Sequence, residues 1–243
     1  MPSGMHIRLR HTRLCLLLES RKPRTVQRNH FFRRVRALAH CCQQQGCMAD
    51  AHSTPSQALD FLTLLQNLKK TKRTGWVRKG ILGPESIADH MYRMSMMAFI
   101  SNDSAVDSNR CIKLAIVHDV AEAIVGDIAP SDNVTKEVKN QLETEAMCKI
   151  RDMLGHNTAA GEEIEALWQE YEDGKSPEAL MVKDFDKLEM ILQAQEYERE
   201  QEVDLQDFFD STEGRFATPL GQAWAKEIIK RRAGKGNRAK NVT

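Results

Sequence analysis

From Ser56 onward, apolar residues recur at spacings of three and four: Leu59, Leu62, Leu65 and Leu68 form one stripe, with Phe61 and Leu64 beside it. That is the period of a helix with one buried face, and Ser53-Thr54-Pro55 supplies its opening cap. Thr74-Gly75 is expected to end this helix, with a loop following through Gly80 and Gly83. Pro84-Glu85-Ser86 opens a second helix with the stripe Ile87, Met91, Met94 and Ala98, broken by the polar run Ser101 to Ser108. Arg110 to Val125 reads as a third helix, nearly all apolar, with Gly126 as its stop. Further amphipathic helices are expected over about Thr135 to Leu154, Glu162 to Tyr171 and Pro177 to Tyr197, the last capped by Ser176. No segment alternates with period two, and no internal repeat occurs. The pattern therefore predicts an all-α domain, a helical bundle spanning residues 53–232, because no Pro/Gly/Ser linker divides its apolar segments.

Charge changes the picture at the two ends. The 243 residues carry 35 Lys plus Arg against 34 Asp plus Glu, a net of +1. Residues 1–47 hold ten of the basic residues and a single acid, Glu19, so Met48 to Thr243 keeps 25 basic and 33 acidic residues, a net of −8. The Arg-rich head, residues 1–52, has the composition of a transit peptide, mitochondrial rather than plastid because Ser is scarce. A disordered extension is the plainer reading. The expected location is thus the cytoplasm or an organelle. Ala233 to Thr243 is basic and poor in apolar residues, and is expected to be a mobile tail. Four of the six cysteines lie in the head, leaving Cys111 and Cys148 in the body, which points to a reducing compartment without a disulfide framework. The longest apolar runs are too short for a membrane helix, and the head lacks the aromatic interleaving of an arm that binds a nucleic acid polymer.

The third helix carries the clearest chemistry. His118, Asp119 and Glu122 interrupt an apolar run, and burying ionisable groups unpaired costs several kcal/mol, so they must have partners. Glu122 lies four residues after His118 and three after Asp119, which lets all three face one pocket, and Gly126 allows Asp127 to turn back toward it. A His and carboxylates converging in an apolar pocket suit a divalent cation; a buried salt-bridge cluster is the plainer alternative. His90 interrupts the stripe of the second helix, and Asp184, Asp186 and Glu189 remain open as the source of a further ligand.

Together the motifs Arg73-Thr-Gly-Trp76-Val, Pro84-Glu-Ser-Ile-Ala-Asp-His90-Met-Tyr-Arg, Val117-His-Asp-Val-Ala-Glu-Ala-Ile-Val-Gly-Asp-Ile-Ala-Pro130 and Glu189-Met-Ile-Leu-Gln-Ala-Gln-Glu-Tyr-Glu198 resemble the HD-domain metal-dependent phosphohydrolases, in particular their 5'-deoxynucleotidase branch. The resemblance spans about Leu59 to Phe216. It implies an HD-domain helical bundle with His90, His118, Asp119 and Asp186 as metal ligands at its core. Glu122 and Asp127 would be the catalytic carboxylates, with a possible second metal held by them and the backbone of Ile128. Trp76 occupies the position of a substrate-contacting aromatic. Some bacterial members have an Arg directly before that Trp, where Gly75 stands here, so Arg73 or Arg78 is expected to take over its phosphate contact. The implied cofactor is Mn, Co or Mg, the implied substrate a deoxynucleoside 5'-monophosphate, and the implied assembly a homodimer, for which Pro177 to Tyr197 offers apolar residues on more than one side. The alternatives are action on a dNTP or a signalling nucleotide, or a non-catalytic metal-stabilised scaffold.

Overall fold

The computed structural model describes residues 52–129 and 132–239. The chain divides into Met1–Cys47 and Met48–Thr243. The first unit, with the expected transit peptide and the Cys41, Cys42 and Cys47 cluster, lies outside the described residues. The described residues form helices and no β-strand; Lys72 and Ser86 make a single antiparallel bridge. In chain order the helices are α1 (Pro55–Leu64), α2 (Gln66–Lys70), α3 (Thr74–Arg78), α4 (Ile87–Ile100), α5 (Ser108–Val117), α6 (Glu122–Val125), α7 (Lys136–Leu154), α8 (Ala159–Asp173), α9 (Pro177–Gln201), α10 (Gln206–Thr212) and α11 (Pro219–Ala239).

Local caps set the starts of the site-bearing helices. Ser86 accepts the Asp89 N–H while the Asp89 side chain accepts the Ser86 N–H, fixing the register of α4 so that Ile87, His90, Met91, Met94 and Ala98 all face inward. Ser176 caps α9 through the Ala179 N–H, and Pro177 takes the first helical position, where its missing N–H costs nothing. Packed against α4, α5, α8 and α11, α9 buries Phe185, Leu188 and Ile191 completely. The helix expected to offer an interface is thus enclosed within its own domain.

Three sequence expectations are corrected. Leu59 and Leu62 are 63% and 58% exposed, whereas Leu68 is 4% exposed. The face of α1 that packs on the core is Phe61, Leu64 and Leu65, spaced at three and four, while Leu68 belongs to α2, beyond a break at Leu65. Thr74-Gly75 opens a helix rather than ending one: the Thr74 N–H is held by the Asp127 carboxylate, a cap supplied from 53 residues away. The third helix is two pieces. Beyond Val117 the backbone bonds switch to a three-residue step, with N–H groups of Val120, Glu122, Ala123 and Ile124 donating to the carbonyls of Val117, Asp119, Val120 and Ala121 at 2.9–3.1 Å. This tighter winding stacks Glu122 over Asp119. At the other end of the chain, α11 runs as far as Ala239, into the segment read as a tail.

Candidate metal centre and catalytic pocket

His90 comes from α4, His118 and Asp119 from the turn after α5, and Asp186 from α9. His90 donates from Nδ1 to Glu189 Oε2 at 2.7 Å, and His118 donates from Nδ1 to the Ala115 carbonyl at 2.9 Å. A carbonyl can only accept, so the His118 proton sits on Nδ1 and the Nε2 lone pair points away from it. In both rings Nε2 is buried without a hydrogen-bond partner. Ligand atoms of His90, His118 and Asp186 lie within 4.8 Å of one another. Asp186 Oδ1 is 3.3 Å from His90 Nε2, and Asp119 Oδ2 is 3.1 Å from His118 Nε2 and 3.9 Å from His90 Nε2. Leaving a buried polar atom unsatisfied costs about 1–3 kcal/mol, so two such nitrogens beside two carboxylates fit a bound cation. Imidazoles whose far nitrogen is tied down in this way are the usual form of metal-binding histidine.

The charges around this point are strongly perturbed. Burial opposes ionisation of Asp119 and of Asp186, but the neighbouring imidazole of His118 for Asp119 and of His90 for Asp186, with the Arg73 guanidinium beside both, outweighs it, so both carboxyls stay well below the usual range. Burial and the Arg73 charge push His90 down, yet Asp186 and Glu189 carry it up to about 9. Arg73 Nη1 donates to Asp119 Oδ2 at 3.4 Å, and its Nη2 lies 3.9 Å from Asp186 Oδ1. The Tyr171 hydroxyl donates to the other oxygen of Asp186 at 3.0 Å.

A cavity of about 370 Å³ opens over this group. Glu122 and Asp127 form one wall with Ile128 beside them. Glu122 Oε2 is buried and unpartnered, and its carboxyl is raised well above the usual range by burial, then by Asp119 and Asp127. Gly126, at φ 79°, lets the chain leave α6 so that Asp127 holds the Thr74 N–H, while the Thr74 hydroxyl donates to the Asp127 carbonyl at 2.8 Å. Trp76 also lines the cavity; its Nε1 donates to Glu85 Oε1 at 2.8 Å and its ring stacks on Phe208 at 4.3 Å. Arg78 is not among the lining residues and pairs with Asp132.

Among the lining residues not singled out from sequence are Phe208, Lys139 and Lys183. Phe208 follows the last helix that the apolar pattern marks. Lys183 did carry a signal, since it lies one helical turn before Asp186 and so shares its face. Of the alternatives left open, Asp184 accepts the N–H groups of Ala217 and Thr218 at 3.0 and 2.7 Å, securing the approach to α11, and Glu189 stands behind His90 rather than in the cavity.

The HD domain profile matches residues 65–226. The 5'-deoxynucleotidase HDDC2 of Danio rerio is 50% identical over 177 residues, covering 72% of this chain and 88% of the relative. The 5'-deoxynucleotidase hdd1 of Schizosaccharomyces pombe is 47% identical over 177 residues, covering 71% of this chain and 88% of its own length. Among solved structures, the PH0347 protein of Pyrococcus horikoshii superimposes with a TM-score of 0.60 at 32% identity, covering 72% of this chain and 97% of that one. Sequence likeness across most of the helical body, on the same bundle, makes this chain a member of the HD-domain family.

Proposed function

We propose that the protein is a metal-dependent phosphomonoesterase that hydrolyses deoxynucleoside 5'-monophosphates to deoxynucleoside and phosphate. The observation that carries the chemistry is the pair of buried, unpartnered imidazole nitrogens meeting two aspartates beneath a cavity walled by two more carboxylates. The substrate class rests on the relatives named 5'-deoxynucleotidase. A monophosphate also suits a cavity with three cationic side chains, Arg73, Lys139 and Lys183, two of them already paired with acids. A dNTP or signalling nucleotide would bring more negative charge against this wall.

His90, His118, Asp119 and Asp186 are the ligands in this reading, and their mixed His/Asp set admits Mn, Co or Mg. A divalent cation held there supplies positive charge to phosphate oxygens and acidifies a water molecule. Glu122, whose Oε2 is buried and unpartnered at the cavity wall, takes the proton that the attacking water gives up. Asp127, steadied by the backbone of Thr74, gives a proton to the departing 5' oxygen, and the proton that Glu122 took from water makes good that loss. Arg73 offsets charge on the equatorial oxygens, and Trp76, fixed by Glu85 and Phe208, bounds the nucleoside end. The panel that tests this measures phosphate release from dNMPs, NMPs and dNTPs, with and without EDTA. Activity that survives EDTA, or none on any dNMP after loading with Mn or Co, rejects the proposal.

The homodimer is proposed to form through α4, where Tyr92, Met96, Phe99 and Ile100 form an exposed apolar ridge. Light scattering on the parent and on Phe99→Glu tests it; a monomeric parent rejects it. Organelle targeting by residues 1–52 is tested by fusing them to a fluorescent protein. No helix among the described residues is long and apolar enough to cross a membrane.

A further inference from the structure

The cations that line the cavity are not equally available to a ligand. Arg73 is shared between Asp119 and Asp186, and Lys139 lies 3.4 Å from Glu143. Lys183 differs: among the described residues no carboxylate lies within 4.0 Å of it, Glu172 and Asp186 acting on it only from farther across the cavity, and its Nζ stands 4.0 Å above the centre of the Tyr171 ring. That ring connects it to the metal centre, because the Tyr171 hydroxyl bonds Asp186 and the ring lies 4.9 Å from the ring of His118. Room for the lysine stem is built into the fold. Gly174, at φ 60°, ends α8 beneath it, and a Cβ there would come within 2.8 Å of Lys183 Cε. A half-buried ammonium held over an aromatic face, without a counter-ion in contact, in a cavity otherwise rich in acids has an anion as its natural partner.

We infer that Lys183 binds the phosphate of the substrate alongside Arg73, as the cation not already paired with an acid, with Tyr171 as the platform that aims it. The inference rests on the phosphomonoesterase reading for the identity of the anion. Lys183 thereby takes the role that an Arg before Trp76 would fill and that Arg78, paired with Asp132 outside the cavity, does not. It contributes binding to substrate and transition state alike, so its loss appears mainly in KM.

The test compares Lys183→Met, which keeps the stem and removes the charge, with Lys183→Arg, which keeps the charge. Inorganic phosphate is titrated calorimetrically into the Mn-loaded protein, KM and kcat are measured on a dNMP, and metal content and Tm are measured alongside. Lys183→Met is expected to weaken phosphate binding and raise KM about tenfold or more, with metal content and Tm unchanged, and Lys183→Arg to recover most of the loss. Phosphate affinity and KM within twofold of the parent in Lys183→Met, or an equal defect in Lys183→Arg, overturns the inference and leaves the enzyme assignment intact. If the parent binds phosphate through Lys183 yet releases none from any dNMP, the anion site stands and the substrate assignment falls.

Discussion

Glu189 accepts a hydrogen bond from His90 at 2.7 Å, and both side chains are sealed from solvent. A full negative charge behind the imidazole fixes its tautomer and makes Nε2 a stronger donor to a cation. Glu189→Gln, which preserves shape and removes the charge, should weaken Mn binding about tenfold, read by calorimetry against the parent. Unchanged affinity would show that His90 is held by packing alone.

Glu122→Gln and Asp127→Asn should each lower kcat about 100-fold or more, the usual contribution of a positioned proton-transfer group, while the bound metal remains. Metal content by mass spectrometry separates lost chemistry from a lost site. Near-normal turnover in either variant removes that residue from its assigned role.

Asp184 and Asp186 sit two positions apart on α9 and should fail in opposite ways. Asp184 is fully buried, holds the Thr218 hydroxyl at 2.8 Å and lies 3.1 Å from Lys187. Asp184→Ala strands these groups and should cost about 3 kcal/mol of stability, seen as a lowered urea midpoint. Asp186→Ala should bind no metal and keep most of its stability. If Asp184→Ala unfolds at the parent's midpoint, its network does not secure α11.

Burial and then Glu189 push Glu85 from its usual 4.5 up to about 7. The unfolded chain releases this proton near pH 4.5 and the folded chain keeps it to about 7, so the folded state binds more protons across that interval. Stability of the metal-free protein should therefore fall as pH rises from about 4.5 to about 7 and then level off with respect to this group. Glu85→Gln still accepts from Trp76 and should flatten that slope in urea titrations made in EDTA. An unaltered slope assigns the effect elsewhere.

Much of this architecture was legible in the chain. The stripe of α4 and the caps at Ser86 and Ser176 read correctly because they depend on neighbours within one turn. Errors arose where distant residues intervene. Thr74 looked like a stop because Asp127, which caps it, lies far along the sequence. The stripe through Leu59 and Leu62 failed because the break at Leu65 puts Leu68 on a separate helix, and α1 itself packs through Phe61 and Leu64. Asp184 and Asp186 could not be separated by periodicity, since both are drawn inward, one toward the approach to α11 and the other toward the cavity. The family motifs supplied the ligand choice that helical spacing left open, but they said nothing of Lys183, whose availability depends on which acids its fellow cations have already met.

His90 and its partner Glu189 stand 99 residues apart in sequence; Asp186 shares the helix of Glu189, and His118 and Asp119 come from a third segment. No fragment of the chain can assemble this centre, so a cation that binds it recognises only the finished bundle. Such a ion lowers the free energy of the native state in proportion to the logarithm of its concentration over its dissociation constant. The supply of divalent metal would then govern how long the protein lasts as well as whether it works.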